Sequence, residues 1–249
     1  RPMPIIYLSP STQEGNYYVN GGTEEEYMNL LADKMVPYLD ASGIRYTRNT
    51  PDMTAASSIA ASNAGDYDLH LALHSNAAPE GKYGQVRGII VFYYPTSQPG
   101  QRASTIIANN LKAIYPLPSL VRAQGTTTIG EVRRVRAPSA FLELGYHDNL
   151  EDANWIKENL DAVARNLVMS LTDFFDIPFL APEPIRSGRV DVDWGVLNIR
   201  ARPNLNASIL AQAPDGAPLA ILNHSGGWYL VNYKGTIGYA KDDFVTLNG

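Results

Sequence analysis

A proline-rich segment near residue 180 divides the chain into two parts with different patterns. Residues 178–189 read PFLAPEPIRSGR, and the first seven of them include three prolines. Proline fixes φ and lacks a backbone N–H, so this composition excludes a helix and favours a stiff, extended linker. The chain has 249 residues, and each part is long enough to bury a core of its own. The sequence therefore predicts a domain at 1–177, a linker at 178–189 and a second domain at 190–249.

Before the linker, strand-like runs alternate with helix-like runs. The helix predicted at Glu24–Ala41 has apolar residues at helical spacing, and Thr23 and Glu26 have capping-box spacing at its start. The other predicted helices are 53–63, 102–114 and 151–175, and the predicted strands are 5–8, 44–47, 69–74, 88–94 and 140–144. This alternation predicts an α/β fold with a mixed, mostly parallel sheet flanked by helices. In such a fold, sites form at the carboxyl ends of the strands.

After the linker, the pattern changes to short alternating runs. The predicted strands are 195–199, 209–211, 218–222, 228–233 and 236–239. Turn sequences separate them, such as Arg202-Pro203-Asn204 and Pro214-Asp215-Gly216. About sixty residues with closely spaced turns predict a small all-β barrel.

The composition excludes several classes of function. The chain has no cysteine, which removes disulfides, thiolate zinc sites and cysteine nucleophiles. The net charge of −5 argues against a general nucleic-acid binder, and the cluster of Arg133, Arg134 and Arg136 favours a solvated loop over a binding patch. No apolar run approaches the ~20 residues needed to span a bilayer. The chain also opens with Arg1 and without an initiator Met, so we expect that a signal peptide has been trimmed.

The second domain carries the marks of a known module. Leu197 to Pro203 form an "LN-R-P" opening, 227–229 read Gly-Trp-Tyr, and the closing strand holds Gly-Tyr at 238–239. Over roughly 191–247 the chain resembles the bacterial SH3-like domain, and the resemblance implies anchoring to the cell wall. Most of its aromatic residues fit the core of a tiny barrel, whereas Trp194 and Tyr233 are the candidates for exposed, wall-binding contacts.

Five short motifs follow one another along the first domain. They are YLSPS at 7–11, Glu25 in the first turn of a helix with Asn29-Leu30 after it, Thr47-Arg48 at a strand end, His74-x-Asn76, and Glu143-x-Gly145-Tyr146-x-x-Asn149. In this order, and over roughly residues 4–175, the chain resembles the zinc-dependent N-acetylmuramoyl-L-alanine amidases. Members of that family cut the bond between muramic acid and the stem peptide of peptidoglycan.

The resemblance implies a role for each motif residue. Glu25 and His74 would be zinc ligands, and Glu143 would be the general acid/base beside a zinc-bound water of pKa roughly 7. Asn76 and Arg48 would contact substrate. Glu25 also has a structural interpretation, because a carboxylate in a first helical turn favours the helix dipole. Glu143 lies on the apolar strand FLELG, where a carboxylate is rare unless it is paired or functional.

One position departs from the family pattern. The family has a histidine ligand in an Asp-Pro-Gly-His turn, whereas this chain reads Ser9-Pro10-Ser11-Thr12, with Thr12 at the ligand position. His70 lies four strand residues, ~13 Å, from His74, which is too far for both to bind one zinc. His147 follows Glu143 and is the tentative third ligand. The alternative is a rebuilt site that binds little or no zinc, in which His147 and Glu143 act as a metal-free pair or recognise the glycopeptide.

These observations lead to two hypotheses of different classes, and a third possibility keeps the hydrolase but changes the bond or the pairing of residues. The first is a secreted or cell-wall amidase, or a phage endolysin, that acts on peptidoglycan with zinc and does not insert into a membrane. The second is an amidase-derived protein that binds or regulates peptidoglycan without cleaving it, and the missing Asp-Pro-Gly-His turn motivates it. Release of free stem peptide from purified sacculi would distinguish the two.

Overall fold

The computed structural model describes residues 2–249, which form two compact units. The larger unit comprises Ile5–Val36 and Tyr46–Phe174. The smaller unit comprises a segment ending at Pro4, together with Pro37–Arg45 and Phe175–Gly249. Within the described part of the chain, no helix combines the length and the apolar character that crossing a membrane requires.

The first sheet has six strands in the order β2-β1-β3-β6-β4-β5. Its strands are β1 (Ile5–Pro10), β2 (Arg45–Arg48), β3 (Leu69–Asn76), β4 (Ile89–Tyr93), β5 (Val121–Gly125) and β6 (Ser139–Tyr146). The pairs β1/β3, β3/β6 and β4/β5 are parallel, and β4/β6 is antiparallel. The predicted mixed, mostly parallel sheet is therefore confirmed.

Six helices accompany this sheet. They are α1 (Glu24–Ala41), α2 (Ala55–Ala64), α3 (Gln98–Leu111), α4 (Gly130–Arg133), α5 (Leu150–Glu158) and α6 (Leu160–Phe175), and a 3-10 turn spans Pro118–Leu120. The bounds of α1 agree with those predicted, since its buried residues Met28, Leu31 and Met35 follow helical spacing.

The helix predicted at 151–175 was wrong in one respect, because the structure divides it into α5 and α6. Asn159 lies between them with φ −124° and ψ 21°, which is outside the helical region. Its side-chain amide donates to the carbonyl of Trp155 at 2.8 Å. A short polar side chain that bonds nearby backbone competes with the helical ladder, which accounts for the break.

The register of the central strands determines where the site lies. Pro10 of β1 pairs with Leu73 of β3, and His74 of β3 pairs with Glu143 of β6. The three strands are parallel, so their carboxyl ends meet at one edge of the sheet. The turn after β1, His74 and Glu143 are therefore neighbours, as expected for this fold class.

The second sheet has seven strands in the order β13-β7-β10-β11-β12-β8-β9, and its registered pairs are antiparallel. The strands are β7 (Arg186–Val190), β8 (Val196–Arg200), β9 (Ile209–Pro214), β10 (Pro218–Ser225), β11 (Trp228–Tyr233), β12 (Thr236–Lys241) and β13 (Val245–Leu247), with a 3-10 turn at Asp242–Phe244. Residues 186–189, assigned to the linker from sequence, form most of β7 and pair with β10 and β13.

The structure contradicts the prediction that Tyr233 is exposed. Tyr233 is 9% exposed and belongs to the core of the second sheet, together with Leu197, Ile221 and Val231. It ends the alternating run of β11, and its parity on the strand directs the side chain into the core.

Candidate functional site

His74 and an acidic residue of α1 form the centre of the site. His74 lies near the end of β3 and is 7% exposed. Its Nδ1 is 2.7 Å from Oε2 of Glu24, the first residue of α1. Glu24 is itself 1% exposed, and its Oε1 accepts a hydrogen bond from the side-chain amide of Asn16 at 2.9 Å. The pair is thus buried and held from both sides.

The acidic residue that meets His74 is Glu24, whereas the sequence analysis assigned Glu25. Successive helical residues are rotated by about 100°, so only one of two adjacent side chains can point at the same target. Glu25 is half-buried, and its backbone N–H is bonded to the carbonyl of Gln13. We therefore correct the candidate from Glu25 to Glu24.

Glu131 is a buried residue of the site that the sequence analysis missed. It lies on the four-residue helix α4 and is 5% exposed. Its Oε1 accepts a hydrogen bond from Ser9 Oγ at 2.9 Å. Its Oε2 is 3.7 Å from His70 Nε2 and 3.7 Å from His74 Nε2, which is ion-pair range but long for a hydrogen bond. The carboxylate therefore lies between two imidazole rings.

These contacts set the charges of the cluster. Burial alone would lower the pKa of His74, but the carboxylates of Glu131 and Glu24 outweigh it and raise that pKa to about 10. Burial would likewise raise the pKa of Glu131, but His70 and His74 lower it to about 2. The pKa of Glu24 also lies below its usual value, because the bond from His74 outweighs burial. His74 is therefore a cation between two carboxylates.

Glu143 has the opposite electrostatic character. It pairs in register with His74, and its Oε2 is buried with no hydrogen-bond partner among the described residues. Burial raises the pKa of Glu143 to about 8, with the positive charge of His74 lowering it and the negative charge of Glu24 raising it. The carboxyl is consequently protonated at neutral pH and has a proton to donate.

His147 lies at the same edge of the sheet but contacts Ser75 and Tyr18 rather than the Glu24–His74 pair. Its Nδ1 is 2.9 Å from Ser75 Oγ, and the same serine accepts a hydrogen bond from Tyr18 Oη at 2.9 Å. Tyr18 also stacks on the imidazole of His147 with 5.5 Å between ring centroids. Burial lowers the pKa of His147. The contacts of its Nδ1 are thus with Ser75, whose side chain leaves β3 on the face opposite to that of His74.

A cleft of about 330 Å³ opens beside this cluster. Thr12, the residue expected at the position of the family's first histidine ligand, lines the cleft together with His74 and Glu131. Asn49 also lines it and donates to Ser9 Oγ at 3.3 Å. The cleft gives a substrate access to His74 and Glu131.

The two residues predicted to contact substrate are engaged in the scaffold. Arg48 donates to the Asp33 carboxylate at 2.7 Å and to the backbone carbonyl of Asn29 at 3.0 Å, and so ties β2 to α1. Asn76 accepts a bond from the Ala77 N–H at 2.9 Å through its side-chain oxygen. Their substrate-binding roles stay predictions.

In the smaller unit, Trp194 is the most exposed large hydrophobic residue, at 88%. It lines a groove of about 370 Å³, where Leu205, Trp228 and Phe244 add apolar surface and Lys241 adds a positive charge. An exposed aromatic residue at such a groove is typical of a binding surface. The expectation that Trp194 is exposed is confirmed.

The donors of the site can be compared with the needs of a catalytic zinc ion. Such a site uses about three protein ligands and one open position. Glu24 Oε2 and His74 Nδ1 supply two adjacent donors, whereas Thr12 offers only a neutral hydroxyl. Among residues 2–249, no three His, Cys, Asp or Glu side chains converge closely enough to hold a metal ion. The described residues therefore do not fit a three-ligand zinc site.

Comparisons with known proteins agree with the two-part organisation. A family model described as N-acetylmuramoyl-L-alanine amidase matches residues 10–173, and one described as bacterial SH3 domain matches residues 195–246. No curated protein sequence matches the chain significantly.

Solved amidase structures share the fold of the larger part. The amidase AmiC2 of Nostoc punctiforme is 14% identical with a TM-score of 0.60, covering 70% of this chain and 97% of that one. An amidase from Clostridium difficile 630 is 14% identical with a TM-score of 0.62, covering 71% and 98%. The amidase Ami1 from Mycobacterium smegmatis is 16% identical with a TM-score of 0.60, covering 70% and 98%.

Proposed function

Because the chain belongs to the N-acetylmuramoyl-L-alanine amidase family, we propose that it hydrolyses the amide bond between N-acetylmuramic acid and the L-alanine of the peptidoglycan stem peptide. The observation that carries this proposal is Glu143. Glu143 pairs in register with His74, its Oε2 is buried without a hydrogen-bond partner, and its pKa of about 8 keeps the carboxyl protonated at neutral pH. The nitrogen of an amide is a poor leaving group until it is protonated, and Glu143 can donate that proton.

The proton balance of the reaction assigns one role to Glu143. Water adds to the amide carbonyl, the C–N bond breaks, and the Glu143 proton goes to the departing L-alanine nitrogen. The proton lost by the water restores Glu143, so the residue ends in its initial state. Raised carboxyl pKa values of this kind are the usual means by which an enzyme keeps a general acid protonated near pH 7. No step is assigned to zinc, since the donors do not fit a three-ligand site.

We further propose that residues 1–177 act on the substrate and that residues 190–249 hold the protein to the wall. The match to a bacterial SH3 domain and the exposed Trp194 beside the groove support this division. Both functions require a location outside the cell membrane, so we propose that the protein is secreted or wall-associated and that its partner is peptidoglycan.

A second function is favoured by the donor set. A protein that binds the muramoyl peptide without cleaving it needs the cleft but not a complete metal site. Thr12 in place of a histidine, and the pairing of both His74 nitrogens with carboxylates, fit such a protein. This second proposed function retains the amidase fold and the attachment to the wall but does not include hydrolysis.

The experiment that separates these functions is digestion of purified sacculi. Amidase action releases stem peptides with a new free L-alanine amino group, which mass spectrometry identifies after separation. The amidase proposal predicts release by the wild-type chain and at least a 100-fold slower release by Glu143→Gln, within the 10²–10⁴-fold range of a general acid. Glu158→Gln makes the same chemical change on an exposed residue and serves as the matched control. Binding to sacculi without any release would favour the second function.

A further inference from the structure

Glu131 is a buried charge that the proposed chemistry does not use. A buried carboxylate is costly unless it is paired; this one accepts one hydrogen bond from Ser9, and its Oε2 lies at ion-pair range, 3.7 Å, from both His70 and His74. Ser9 comes from β1, and His70 and His74 come from β3. A residue needed only to anchor the short helix α4 would not require an ionised group reaching two imidazoles of the neighbouring strand.

The position of Glu131 relative to the His74 ring is specific. Glu24 faces Nδ1 of that ring at 2.7 Å, and Glu131 faces Nε2 at 3.7 Å. The ring also stacks on Phe141 with 4.3 Å between centroids and an interplanar angle of 19°. Two carboxylates and one aromatic face therefore determine both the tilt and the rotation of the imidazole.

We propose that Glu131 is a positioning residue, which fixes the His74 ring through Nε2 so that Nδ1 holds the buried Glu24. The positioning serves hydrolysis and in that respect rests on the proposed function. A carboxylate behind a histidine is a common device for setting ring orientation, and at metal-binding histidines its removal typically costs about 10–100-fold in activity.

Ser9 provides a second position at which the proposal can be tested. Its Oγ lies 2.9 Å from Glu131 Oε1, so a carboxylate introduced at residue 9 would occupy the space between β1 and the Glu131 side chain. The double variant Ser9→Asp, Glu131→Gln therefore moves the negative charge by a short distance and keeps it beside His74. A rescue by this variant would not follow from a purely structural role of Glu131.

The test measures the ring protons and ring nitrogens of His74 by NMR in histidine-labelled protein, together with peptide release. Only four histidines are present, and a His74→Ala sample assigns the signals. We expect Glu131→Gln to shift the Nε2 signal, to leave KM within about twofold and to lower kcat about 10–100-fold. The double variant should restore both readouts. If Glu131→Gln folds poorly, Ser9→Ala removes one partner of the carboxylate and should shift the same signal in the same direction.

Two results would overturn the proposal. One is an unchanged His74 Nε2 signal in Glu131→Gln. The other is a double variant Ser9→Asp, Glu131→Gln that regains the thermal midpoint of the wild type but keeps the lowered kcat of Glu131→Gln. If the wild-type chain releases no peptide, the amidase proposal fails by itself, and the NMR readout still decides the role of Glu131.

Discussion

Glu143 offers a stability test that is independent of any substrate. The Glu143→Gln substitution keeps the size of the side chain and removes its titration. In the folded chain the pKa of Glu143 is about 8, whereas its ordinary value is 4.5. The folded state therefore holds this proton more tightly than the unfolded state does, and the wild-type chain loses stability as the pH rises from about 4.5 to about 8.

The size of the effect follows from the shift. One pKa unit corresponds to about 1.4 kcal/mol, so the free energy of unfolding of the wild type should fall, relative to the variant, by up to that amount per pH unit. Over the whole interval the upper limit is about 5 kcal/mol. Below pH 4.5 the difference between the two proteins should be constant, because Glu143 is protonated in both states.

The assay is urea unfolding of wild type and Glu143→Gln at a series of pH values from 4 to about 9, followed by the circular dichroism of the helices. Only the difference between the two proteins is interpreted, so that titrations independent of Glu143 cancel. Glu158→Gln on the exposed end of α5 is the control. A difference that stays flat between pH 5 and 8 would refute the assignment of Glu143 as a buried neutral acid.

Three further predictions, each made with one or two substitutions, test other parts of the account. Thr12→His places a third donor in the cleft beside His74. Metal analysis after dialysis should therefore find about one zinc per chain in the variant and less in the wild type. Equal zinc content in the two proteins would place residue 12 away from the site. Glu24→Gln should cost about 1.5–3 kcal/mol at neutral pH through the weakened bond to His74, and Glu25→Gln should change stability by less than about 0.5 kcal/mol; the reverse order in urea unfolding would restore the original assignment. Tyr233→Ala should destabilise the smaller unit by about 3–5 kcal/mol, because it removes a core side chain. Trp194→Ala should leave the stability of that unit nearly unchanged and weaken binding to sacculi in a pull-down. Unchanged binding by Trp194→Ala would exclude the groove beside Trp194 as the wall-binding surface.

The parts of the fold that follow local rules could be predicted from the sequence. The apolar stripe and the capping spacing determined both ends of α1, and the alternation of strands with helices determined the sheet type. The break at Asn159 was missed because an asparagine in a long amphipathic run is compatible with a helix. It interrupts the helix only when its side chain bonds the backbone.

The site was predictable to within one residue but not in full. His74 was found because it ends a predicted buried strand, and Glu143 because a carboxylate is rare on an apolar strand; the role of each came from the resemblance to the amidase family. Choosing between Glu24 and Glu25 requires the rotation of α1 about its axis, which only tertiary packing sets. Glu131 lies on a helix of four residues in an otherwise basic segment, and no periodicity indicates which way so short a helix points.

The most direct test of the central claim is the appearance of free L-alanine amino groups when purified sacculi are incubated with the wild-type chain and with Glu143→Gln. The account predicts new amino-terminal L-alanine with the wild type and a rate at least 100-fold lower with the variant. Sacculi that bind the wild-type protein but yield no new L-alanine termini would contradict it and leave a wall-binding protein with an amidase fold.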